Sequence, residues 1–194
     1  MFVEPDWDDP IDFQARLAAI PAQAVVRGMF LQLLQQNVRR DLPAPLRDRR
    51  YLAFKNYPMR EYVELLAACC AERSARAPIA QHLRELGRSV YPSYAQTITG
   101  TAIFAVAGHS YRRVIELCPT AYRVSVERAR VSVRSIADGH AVVELRELWN
   151  FPDLHQVGIF EGAMSVCNVS GTIRVEPIDF GSANFEITWR DVGG

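Results

Sequence analysis

The stretch that decides the fold is YRVSVERARVSVRSIADGHAVVELRELW, residues 122–149. Its apolar side chains recur at every second position and are rich in Val, so strands are expected over 122–136 and 141–149. Between them stands Asp138-Gly139, a pair that accepts the positive φ angles of a two-residue hairpin turn. Val124 and Val126 have the opposite parity to Val131 and Val133, which predicts a bulge or break near 128–130. Further on, 153–168 reads as a helix with Phe160, Ala163, Met164 and Cys167 on one face. The closing segments 172–177 and 183–190 read as a second hairpin, its last strand alternating Phe185, Ile187 and Trp189 inward with Glu186, Thr188 and Arg190 outward.

Upstream of this ββαββ pattern the period is helical. From Val25 onward Val26, Met29, Phe30, Leu33, Leu34 and Val38 recur at three and four, opposite Arg27, Gln32, Gln35, Gln36 and Arg39. A second helix starts near Pro58 and a third at Pro78. Pro92 is expected to kink or interrupt the third, because proline removes a hydrogen bond and biases Tyr91 away from helical angles. Residues 94–106 are apolar nearly all round and predict a buried central helix. Gly108 is a stop and Ser110 a cap for a further helix, which carries Tyr111, Val114, Ile115 and Cys118 inward and is expected to end at Pro119. Residues 1–24, with Pro5, Pro10 and Pro21, read as an extended lead-in holding one short helix over 13–20. The fold class is therefore α+β: one domain over 25–194, whose helical half (25–119) packs on a four-stranded antiparallel sheet (120–190).

The 194 residues are 49% hydrophobic, enough for a substantial core. Twenty-two basic residues balance twenty-two acidic ones, so the overall field that draws a protein to nucleic acid or membrane is missing, and neither is expected as a partner. The acidic start MFVEPDWDDPIDF lacks the form of a secretory leader and no long apolar run follows, which predicts a cytoplasmic protein. Cys69, Cys70, Cys118 and Cys167 match no disulfide or metal-site spacing and read as buried thiols. One local asymmetry stands out: Arg39, Arg40, Arg47, Arg49, Arg50, Lys55 and Arg60 against Asp41 and Asp48. It is either a solvated connector or a contact surface for an acidic partner.

The segments VVRGMF (25–30), KNYPMREY (55–62) and LRELGRSVYPSYAQTITG (83–100), with the closing hairpin-helix-hairpin, resemble an uncharacterised family known mainly from myxobacteria and classed as a domain of unknown function. The architecture is also similar to the 4-vinyl reductase domain and to the haem-based nitric oxide and oxygen binding domain. Both set helices against a four-stranded antiparallel sheet around a buried ligand. The resemblance implies a ligand-binding or sensory module by analogy of fold.

Haem binding in that related fold uses an axial histidine before the sheet and a Tyr-x-Ser-x-Arg motif in the hairpin. His109 lies near the right place but groups with Arg113 and Glu116 on the polar side of its helix, and the hairpin reads VVELRELW. An exposed or capping role follows. Cys167, His140 and His155 lack the short spacings of a zinc site, so no metal and no cofactor are expected. Gly158 and Gly162 fall inside a helix, where small residues serve close packing on the sheet better than phosphate binding. With no Gly-x-Ser-x-Gly elbow, HExxH or Walker loop, an enzyme is the third choice.

What remains is a group expected at the helix-sheet interface: Tyr94, Ile98, Phe104, Trp149 and Phe160. It is either plain core or the lining of a cavity for an apolar or planar small molecule, with Tyr94 and Trp149 as hydrogen-bonding handles. The first reading of function is a non-enzymatic small-molecule-binding or sensory domain signalling through a protein partner or as a homodimer. The alternatives are an adaptor with a filled core and a haem-dependent gas sensor.

Overall fold

The computed structural model describes residues 1–8, 10–38, 42–73 and 77–192, without the side chains of Glu72, Arg73, Thr99, Ile103 and Phe104. The chain begins with α1 (Phe13–Ala19), β1 (Val25–Arg27), α2 (Gly28–Val38), α3 (Ala44–Arg47) and β2 (Asn56–Pro58). Four helices come next: α4 (Met59–Arg73), α5 (Ile79–Ala95), α6 (Ile98–Ala107) and α7 (Tyr111–Ser125). Then come β3 (Val126–Glu127), β4 (Arg130–Ala137), β5 (His140–Arg146), α8 (His155–Val166), β6 (Val169–Asp179) and β7 (Ser182–Asp191). None of these described helices is long and apolar enough to cross a membrane.

Both hairpins form. Gly139 takes φ +75° in the first, and the four-stranded antiparallel sheet has the order β4-β5-β7-β6. Its inner face is apolar, with Ala141, Val143, Leu145, Phe185 and Ile187 fully buried. The outer face is a ladder of polar pairs such as Arg134–Glu144 at 2.6 Å and Arg174–Glu186 at 3.0 Å, the arrangement of a sheet with one solvated side. The break near 128–130 is present too: Arg128 stands at φ +75° between β3 and β4.

Helices α7 and α8 cover the inner face, with Tyr111 edge-on to Trp189 and Phe160 edge-on to Phe185, both at 5.2 Å. On its other side α8 meets α5 backbone to backbone. A Cβ on Gly158 would lie 2.0 Å from the Arg84 carbonyl oxygen, and one on Gly87 would lie 2.1 Å from that of His155. The small residues of α8 thus admit α5, where the sequence suggested the sheet. Around the crossing, Arg84 and Arg88 of α5 each place Nε 2.8 Å from Glu161 of α8. The lead-in 1–24 is tied to this body: Val3 bridges Val175, and Arg16 donates to Asp153.

Several expectations are corrected. α5 runs through Pro92 without ending, because the Arg88 carbonyl, deprived of its helical donor, is covered at Gly162 of α8. α7 likewise continues through Pro119 to Ser125, so the first strand starts at Val126 and exposed Val124 is helical. Tyr122, in that extra turn, packs on the core and accepts from Gln156 of α8. β1 occupies Val25–Arg27, where a helix was expected, and pairs with β2 and β3 in a small sheet of order β2-β1-β3. The segment 94–106 is not a buried central helix. Tyr94 ends α5, while α6 lies on the surface with Ile98 87% and Val106 65% exposed. Thr97 separates the two by accepting from the Gly100 N–H at 3.0 Å, and among the described residues of α6 the buried ones are Gly100, against the Tyr94 carbonyl, and Ala107. Apolar composition does not by itself enclose a helix.

The crossing sets a stability prediction. Gly158→Ala should destabilise by about 3 kcal/mol and lower Tm by about 6–12 °C, since a backbone must move to admit the methyl group. Ala102→Leu, on exposed α6, should stay within about 0.5 kcal/mol. Thermal and urea unfolding of both variants checks the pair.

Candidate ligand-binding cavity

Where α2, α5, α7 and α8 meet the β1–β3 edge they leave a cavity of about 80 Å³. Four tyrosines line it, Tyr62, Tyr91, Tyr94 and Tyr122, along with Phe30, Cys118, Phe160 and Ala163. Its walls are largely apolar, yet three polar groups turn toward it from buried positions: Asn150, Gln156 and Tyr94.

Each comes from a different element, and each leaves a polar atom without a hydrogen bond. Gln156 sits in the first turn of α8 on the face of Phe160 and Ala163; its Nε2 donates to the Tyr122 hydroxyl while its Oε1 is orphaned. Asn150 Oδ1 is orphaned as well. It is delivered by the loop after β5, where Glu147 and Phe151 both stand at φ +57°. Left-handed backbone at a bulky aromatic is uncommon and is kept only where the surroundings impose it. Phe151 is buried and its carbonyl caps the start of α8, accepting from Leu154 at 3.1 Å and Gln156 at 3.2 Å. The Tyr94 hydroxyl, at the end of α5, is the third buried group without a full hydrogen bond, with Ser125 as a polar neighbour. Leaving such a group unpaired costs about 1–3 kcal/mol, so three of them around one space are partners that an occupant of the cavity, water included, would satisfy.

The site is electrically neutral. Burial pushes the Cys118 thiol up to about 12 and, with Cys118 nearby, the Tyr94 hydroxyl up to about 12. Burial also raises Tyr91 and Tyr122. All four groups stay protonated near neutral pH, and no Arg, Lys, His, Asp or Glu is among the described lining residues. Neither a thiolate nucleophile nor a general base is available there.

Of the residues singled out from sequence, the structure brings together Tyr94 and Phe160. Ile98 is corrected to the surface of α6, and the Phe104 side chain lies outside the described residues. Trp149 is corrected as well: its indole packs over Gly181 and borders a separate cleft with Ala24 and Glu147. The chain turns at Glu147, so that Asn150 enters the cavity where Trp149 was expected. Tyr62, Tyr91, Tyr122, Asn150 and Gln156 were missed. Gln156 had a signal, since it shares a helical face with Phe160, Ala163 and Cys167 and so was a polar residue on a buried stripe.

The metal candidates stay apart. His109 is exposed between Gly108 (φ +61°) and the Ser110 cap, His140 faces Glu186 at 3.6 Å, and no cluster of three potential ligands occurs among the described residues. His155 is fully buried beside Tyr62, with neither ring nitrogen hydrogen-bonded, and burial lowers its pKa to about 3.

The sequence matches the family described as "Protein of unknown function (DUF2378)" over residues 19–190. No curated protein matches it. Solved structures do. An H-NOX protein from S. oneidensis in its Fe(II)NO state superposes with TM-score 0.64 at 11% identity, covering 85% of this chain and 99% of the other. The unliganded Fe(II) H-NOX protein from K. algicida gives TM-score 0.60 at 12% identity, covering 94% and 96%. An oxygen-binding H-NOX domain related to soluble guanylate cyclases, solved as its oxygen complex, gives 0.61 at 13%, covering 84% and 93%. At such identities the likeness establishes an H-NOX-like fold.

His155 gives a prediction of pH dependence. Its folded pKa lies below the unfolded value near 6.5, so the unfolded chain binds the extra proton and stability falls as pH drops from about 6.5 toward 3. The loss should reach about 2 kcal/mol at pH 5, and His155→Phe should flatten that slope. Urea titrations at pH 5 and 7 measure both.

Proposed function

The chain belongs to the DUF2378 family of proteins of unknown function, and we propose that it is a non-enzymatic sensory domain that binds a small uncharged molecule in the tyrosine-lined cavity. The observation that carries this reading is the set of orphaned polar atoms of Asn150, Gln156 and Tyr94 around an apolar space. At about 80 Å³ the cavity exceeds the ~10–15 Å³ that one water needs and falls short of the ~300 Å³ of a drug-sized site. Its occupant is a molecule of a few heavy atoms, or a small ring admitted by rotation of the tyrosines. Signalling would pass to a protein partner or a second copy through α7, which carries Tyr122 and Cys118 at the cavity and packs on the edge strand β4.

A haem-dependent gas sensor is the second reading, favoured by the H-NOX neighbours, whose structures include Fe(II)NO and oxygen complexes. The side chains here do not fit that group. Haem needs an axial His, Met, thiolate or tyrosinate and cations for its two propionates. This cavity offers no histidine, no methionine and no cation among its described lining residues.

Two measurements separate the readings. Incubation with hemin should give no stoichiometric Soret band, and native mass spectrometry of freshly purified protein should show a small adduct. Asn150→Leu should remove the adduct while leaving stability unchanged or raised by about 1 kcal/mol, since an orphaned carbonyl disappears. A one-to-one Soret band would establish the haem reading. A structure with only ordered water on Asn150 and Gln156 would end the small-molecule one.

A further inference from the structure

The basic connector carries a feature that the cavity does not explain. In its turn before β2, Leu52 is 66% and Phe54 77% exposed, two large apolar side chains projecting together from one tight turn. Single exposed apolar residues are ordinary, but this pair is held outward. The Gly28 and Met29 N–H groups donate to the Lys55 and Ala53 carbonyls at 2.8 and 3.0 Å. Arg27 donates to the Phe54 carbonyl at 2.9 Å, the Tyr57 hydroxyl accepts from the Leu52 N–H at 2.9 Å, and the Lys55 N–H closes the turn onto Leu52 at 3.0 Å. Behind it, Gln32 and Gln35 of α2 bind the carbonyls of Tyr51, Leu46, Arg47 and Arg49. Gly28 is required here, because a Cβ would lie 2.2 Å from the Leu52 carbonyl oxygen. These bonds fix the backbone of the turn with Leu52 and Phe54 on its solvent side.

Charge surrounds the pair. Arg47, Arg49, Arg50 and Lys55 flank it against Asp48, and Arg50 and Lys55 make no ion pair among the described residues. Glu61 is engaged by Arg49 at 2.8 Å and Glu127 by Asn56 at 2.8 Å. Zero net charge for the whole chain thus conceals a local basic tip.

We propose that this tip docks the protein on an anionic lipid surface, with Leu52 and Phe54 entering the headgroup-acyl boundary and Arg50 and Lys55 meeting the lipid charges. Three features favour lipid over a protein groove. The apolar side chains project from a turn and do not line a depression. The carbonyls of residues 52–55 are all bonded within the protein, so the turn enters a medium poor in hydrogen-bond partners at little cost. For the same reason it offers little free backbone for a partner strand to pair with. Two apolar side chains plus a few cations give a reversible attachment that weakens with salt.

Co-sedimentation of the full chain with vesicles tests this. Vesicles containing phosphatidylglycerol should bind it about tenfold better than pure phosphatidylcholine vesicles at low salt, and the difference should shrink at 0.5 M NaCl. Leu52→Ser with Phe54→Ser should lower partitioning about tenfold or more, with the melting temperature kept because both side chains are in solvent. Arg50→Glu with Lys55→Glu should abolish the preference for anionic lipid. Equal binding to both vesicle types, or no effect of either double variant, overturns the proposal. So does light scattering that shows a dimer lost on Leu52→Ser/Phe54→Ser without any vesicle binding, which would assign the tip to a second copy of the chain.

Discussion

The contact on which the rest depends is the crossing of α5 and α8 at Gly87, Gly158 and Gly162, where the two backbones touch with no side chain between them. Close approach lets α8 serve two surfaces at once. It presents Phe160 to the sheet through Phe185 and, on nearby positions, Gln156 and Ala163 to the cavity. The same approach covers the carbonyl that Pro92 leaves without a donor, so α5 continues to Tyr94 and brings that hydroxyl to the site. Fold and site share one constraint, and a methyl group at the crossing disturbs both.

The cavity's chemistry follows from its neutrality. Tyrosines and a thiol packed into an apolar space keep their protons, because burial penalises the charged form. Such a space offers an occupant shape and hydrogen bonds from amide and hydroxyl groups, and no charge. The likeness to H-NOX structures extends to the fold, and one fold can host different sites. The left-handed residues Glu147 and Phe151 on either side of Asn150 place backbone strain at the same spot, where strained geometry serves to position a group.

What the sequence determined by itself is the part governed by local physics. The Asp138-Gly139 turn, the inward parity of Phe185 and Ile187, the Ser110 cap and the Gly108 stop are each readable within a few residues, because turn geometry and strand period are local properties. Phe160 was legible as interior from the helical period of its segment; Tyr94 is interior too, but in the last turn of α5 and not in the central helix expected over 94–106. Tertiary structure alone decided the rest. α5 and α7 run through Pro92 and Pro119, and at Pro92 the close approach of Gly162 to the Arg88 carbonyl is a tertiary contact that no local rule contains. Strands as short as Val25–Arg27 have no period to read, and their pairing spans long separations. The apolar segment 98–107 ends on the surface because enclosure depends on what else packs there. Asn150, Gln156 and Tyr122 converge from separate elements only when α5, α7 and α8 meet, so proximity in space made the site.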